Sequence, residues 1–71
     1  MVEFRVRIHP RQKLAYIPRE LAEILGQRVK AVPNRGAVLF YPESADPKIV
    51  LESLDIIKRD LELGLLRSRR R

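Results

Sequence analysis

The sequence has no cysteine and no tryptophan, and a single histidine among its 71 residues. Without cysteine there is no disulfide and no thiolate metal site. With His9 alone, a multi-histidine metal centre within one chain is excluded. Threonine is also absent, and the only serines are Ser44, Ser53 and Ser68. No Ser–His–Asp set can be argued from one histidine. The three glycines are dispersed, so there is no glycine-rich loop to cradle a phosphate. The longest apolar run, residues 37–41, falls far short of the roughly 20 residues a membrane span needs. The N-terminus alternates charged and apolar residues and lacks a signal-peptide core. No catalytic residue, metal, cofactor or membrane partner is expected, and the chain reads as cytoplasmic.

Size sets the next constraint. Below roughly 70–80 residues a single core rarely supplies more than about 3–5 kcal/mol. A chain without disulfides or a metal then usually needs a partner. The hydrophobic fraction of 45% argues against a wholly disordered basic peptide. Arginine outnumbers lysine 11 to 4, a weak sign of a heat-adapted source.

The net charge of +6 favours an anionic partner, nucleic acid first. It is unevenly spread. Residues 1–42 carry eight basic and three acidic side chains, and residues 43–66 carry three and six. The last five residues carry four arginines and no acid.

Residues 3–9 alternate strictly, with Phe4, Val6 and Ile8 opposed to Glu3, Arg5, Arg7 and His9. This period of two predicts a half-buried strand that Pro10 ends. A basic turn over residues 11–13 leads to a second short strand, residues 14–17. Pro18 opens a short helix at the first helical position, and Gly26 closes it. Ile17, Leu21, Ile24 and Leu25 share one face. Residues 27–32 and 37–41 predict a hairpin, with Pro33, Asn34, Arg35 and Gly36 as a four-residue loop. The second of these strands is apolar enough to be buried on both faces.

Asp46 and Pro47 form a helix cap followed by proline at the first helical position. The helix is predicted to run to about Leu63, with Gly64 as its stop. Val50, Leu54, Ile57 and Leu61 form a coiled-coil-like seam, the expected dimer or partner surface. Ile49, Ile56 and Leu63 are expected to widen that stripe.

The stretch from Gln12 to Gly26 resembles the signature of the AbrB/MazE-type (SpoVT-AbrB) swapped-hairpin family, in which a glycine-containing loop precedes Ile-Pro-x-Glu and a terminal Leu-Gly. Ile17, Pro18, Glu20, Leu21, Leu25 and Gly26 match in place. The resemblance covers roughly residues 4–42. It implies an α+β, mainly β fold: a swapped-hairpin β-barrel built by a homodimer, with a C-terminal amphipathic helix after it. It also implies a prokaryotic DNA-binding transcriptional regulator or antitoxin. Lys13 stands where the family has its loop glycine, and the Gly-Asp turn after Leu-Gly is missing. Leu14, Ala22 and Glu23 stand where the family often places DNA contacts; only Arg7 falls at such a place.

The chain thus divides into three segments: a barrel domain over 1–42, an amphipathic helix over 43–64, and a flexible Arg-rich tail over 65–71. The expected partners are duplex DNA, the chain itself in a homodimer or a higher oligomer packed through the 43–64 helix, and a toxin or other protein on the C-terminal helix. The cations expected at DNA are Arg5, Arg7, Arg11, Lys13 and Arg19, joined by Arg69, Arg70 and Arg71 of the tail. His9 reads as structural or solvent-facing. Tyr16 and Tyr41 read as packing residues.

Overall fold

The fold is that of a computed structural model describing residues 2–69, with the side chain of Arg69 left aside. It is a small α+β arrangement: helix α1 (Arg19–Leu25), strands β1 (Val29–Asn34) and β2 (Ala37–Pro42), and helix α2 (Pro47–Arg69). The two strands form one antiparallel hairpin.

The local signals account for most boundaries. Pro18 sits one residue outside α1 as its N-cap, with φ −54° and ψ 146°. Its carbonyl accepts the amides of Leu21 and Ala22, each at 3.0 Å. Gly26 ends the helix in the left-handed region, φ 73°, where a side chain is disfavoured. Leu21 and Leu25 are half-buried, and the helix leans on β2.

The hairpin turn is tighter than expected. Pro33 and Asn34 belong to β1 and pair with Val38 and Ala37, leaving Arg35 and Gly36 as the turn. Proline is tolerated because a two-stranded ribbon has an open edge on each strand, where an amide needs no ladder partner.

Asp46 caps α2 as expected. Its Oδ1 accepts the Lys48 amide at 2.9 Å, and its carbonyl accepts those of Ile49 and Val50. Asp46→Ala should cost about 1 kcal/mol, read from chemical denaturation, whereas Asp46→Asn should lose little.

Two expectations are corrected. Gly64 does not stop α2, which continues to Arg69, so residues 65–69 are helical rather than part of a flexible tail. A mid-helix glycine costs only about 1 kcal/mol relative to alanine. Leu65 and Leu66 propagate the helix well, and Arg67 suits the negative end of its dipole. Arg70 and Arg71 lie outside the described residues.

The expected strands over 3–9 and 14–17 reduce to one bridge, between Ile8 and Ala15. Among the described residues, no backbone hydrogen bond engages residues 2–6. Their alternation is that of a strand, but a strand needs a neighbour to bond with, and the chain offers none there.

The turn joining these segments places Lys13 at φ 57°. That region costs an L-residue roughly 1–2 kcal/mol, and glycine enters it freely. It falls where the resemblance expects glycine. Lys13→Gly should therefore stabilise the fold by about 0.5–1 kcal/mol, a rise of a few degrees in Tm, while Lys13→Val should lower it. An unchanged Tm in both variants would remove the strain argument.

None of the described residues is buried. The surface is 7481 Å², against roughly 4,600 Å² for a compact monomer of this mass. The radius of gyration is 14.2 Å, against about 11 Å. Both faces of the hairpin are largely apolar. By the register, Val29, Ala31, Pro33, Val38, Phe40 and Pro42 share one face, with Val38 52% and Phe40 56% exposed. Lys30, Val32, Leu39 and Tyr41 look the other way, across a groove to Pro47, Val50, Leu51 and Leu54 of α2.

Candidate nucleic-acid interface

The basic residues of the N-terminal part gather on one small loop structure. The His9 amide donates to the Leu14 carbonyl at 2.7 Å, and the Lys13 amide donates to the His9 carbonyl at 2.8 Å. The Tyr16 amide reaches the Arg7 carbonyl at 3.4 Å. A short antiparallel pairing of residues 7–9 with 14–16 results, closed by a tight turn.

His9 helps to hold that turn. Its Nδ1 accepts the Gln12 amide at 3.2 Å, and the side chain is exposed.

This pairing brings three expected cations together. Arg7 lies on one arm, and Arg11 and Lys13 lie on the turn. Arg5 precedes Arg7 by two residues, in the segment that makes no backbone hydrogen bond among the described residues. All four are exposed. Among the described residues, no carboxylate forms an ion pair with them, so they remain available to an anion.

Arg19 is placed differently. It stands at the start of α1 with Nε 3.6 Å from Glu23 Oε1, in an exposed i,i+4 pair. Such a pair is worth at most about 1 kcal/mol and does not prevent a phosphate contact. The backbone of Arg69 closes α2. The expectations for Arg70 and Arg71 fall outside the described residues.

Two further side chains stand out. Tyr16, expected to pack, is 84% exposed within one chain, directly across from Arg7. An exposed tyrosine beside arginines offers a ring for stacking as well as a hydroxyl. Tyr41 is half-buried, as expected of a packing residue. Arg35 is exposed at the hairpin tip with φ 48°, held there by the two-residue turn. The turn chemistry around Gly36 was the available signal, but the four-residue loop reading hid which residue occupied the tip.

The expected partner seam is split by the structure. Val50 and Leu54 face the chain's own hairpin across the groove. Ile57 and Leu61, with Leu54 and Leu65, form an open apolar face further along α2.

Among the described residues, no group of three or more His, Asp or Glu side chains is placed to hold a metal. Among the same residues, no helix is long and apolar enough to cross a membrane. No known family, no curated protein and no solved structure matches this chain.

Proposed function

We propose that the chain is a homodimeric DNA-binding regulator of the swapped-hairpin type. The observation that carries the reading is the gathering of Arg5, Arg7, Arg11 and Lys13 on a single turn and its arm, all exposed. Guanidinium and ammonium groups clustered along one turn and its arm would neutralise phosphates and release their counterions. Two-fold symmetry would double the set. The absence of a core among the described residues of one chain supports a dimer, because intertwined chains share what each lacks. The left-handed Lys13 supports the resemblance at the position where the family has glycine.

Fluorescence anisotropy with a labelled duplex tests the reading. Micromolar or tighter binding at low salt is expected, with duplex DNA outcompeting RNA of the same sequence. No binding at about 50 mM salt would sink it.

A second reading rests on the open apolar face along Leu54, Ile57, Leu61 and Leu65. An amphipathic segment of a toxin or other protein laid there would make the chain antitoxin-like. Purification with a stoichiometric protein partner, lost on Ile57→Glu, would favour it.

A further inference from the structure

We infer that Tyr16 contacts the DNA backbone, its hydroxyl donating to the phosphate that the Arg7 guanidinium neutralises. The inference deepens the nucleic-acid reading and rests on it.

The backbone register sets the two residues side by side. The Tyr16 amide donates to the Arg7 carbonyl at 3.4 Å, and the His9 amide donates to the Leu14 carbonyl at 2.7 Å. These bonds flank the antiparallel bridge between Ile8 and Ala15. In that register Arg7 stands directly opposite Tyr16, and His9 opposite Leu14. Directly opposed residues project from the same face, with Cβ atoms roughly 5 Å apart. Ile8 and Ala15 belong to the other face.

The two faces suit different neighbours. Ile8 and Ala15 are apolar and suit protein packing. The opposite face holds Arg7, His9 and Tyr16 together with Leu14. Among the described residues, no carboxylate pairs with Arg7. Covering that guanidinium with protein would desolvate an unpaired charge, which is costly. An anion meets it without that cost. Tyr16 is 84% exposed, the highest fraction of any large apolar or aromatic side chain among the described residues, whereas Tyr41 is half-buried.

The hydroxyl, and not the ring, is the contacting group. An intact duplex presents base edges in its grooves and keeps the base faces stacked, so a ring on a strand finds nothing to stack on. Tyrosine is among the side chains that donate to phosphate oxygens. A phosphate docked on Arg7 lies beside the residue across the strand, which is Tyr16. The hydroxyl brings no charge and releases no counterion. Arg7 therefore supplies a salt-dependent part of the contact, and Tyr16 a part that salt leaves alone.

Anisotropy with a labelled duplex across a salt series tests this on the full chain. Tyr16→Phe removes only the hydroxyl. It should weaken binding by about ten- to a hundredfold, one hydrogen bond being lost in each of two copies. Its slope of log K against log salt should match that of the wild type, whereas Arg7→Ala should flatten the slope by about 2. Tyr16→Ala should bind at least as weakly as Tyr16→Phe, and both should keep the wild-type Tm to within a few degrees. Wild-type affinity in Tyr16→Phe with weak binding in Tyr16→Ala makes the ring the contact and overturns the inference. A large fall in Tm in either variant makes Tyr16 a packing residue and overturns it too. Wild-type binding that neither variant changes overturns this contact alone. No wild-type binding at about 50 mM salt overturns the nucleic-acid reading, and the contact with it.

Discussion

Phe40→Glu is expected to abolish folding, although Phe40 is 56% exposed within one chain. If that exposure were its final state, the substitution would change stability by no more than about 0.5 kcal/mol. Phe40 lies with Val29, Ala31, Pro33, Val38 and Pro42 on an apolar hairpin face. When a second chain covers that face, glutamate there leaves a cavity and a desolvated charge. The loss is then at least about 3–5 kcal/mol, most of the stability a domain of this size has. Urea denaturation and light scattering read the difference. A cooperative transition near the wild-type midpoint, at unchanged mass, would show that the face is solvent-facing after all. Arg35→Glu is the matched control: it places the same acidic side chain at the exposed hairpin tip and should be tolerated.

The second large effect concerns salt. If Arg5, Arg7, Arg11 and Lys13 of two chains contact phosphates, duplex affinity should fall by about 10³–10⁵ between roughly 50 and 200 mM salt. Arg7→Ala with Arg11→Ala removes four cations from a dimer. The slope of log K against log salt should flatten by about 3–4, and binding should weaken alike on every sequence tested. A slope unchanged by the double substitution would move the contact elsewhere. Arg19→Ala should matter less, because its guanidinium already stands beside Glu23.

The parts of the fold legible in the sequence were those settled by local chemistry. Pro18 and Gly26 bracket α1 to within a residue. Asp46 and Pro47 open α2 with the expected side-chain cap. Gly64 misled because a glycine stops a helix only when the residues after it cannot continue one, and Leu65 and Leu66 can. The alternation over residues 3–9 was legible as strand patterning, yet a ladder requires a second strand at a particular place in space. Pattern specifies what a segment can pair with, not whether a partner lies within the same chain. The cations of the candidate interface were legible as a cluster because they are close in sequence. The exposure of Tyr16 was not, because its alternation set the face without saying whether anything covers it.

If the chain folds only with a second copy, as proposed, its abundance is coupled to its structure. When folding requires encounter, the folded fraction rises with copy number instead of being fixed for each molecule. Freshly made chains at low dosage stay open to proteases and are cleared, while a burst of synthesis carries the population past the point where assemblies outlast degradation. In a homodimeric regulator, as proposed, this would build a threshold into expression without any effector, and diluting the cell contents would reset it.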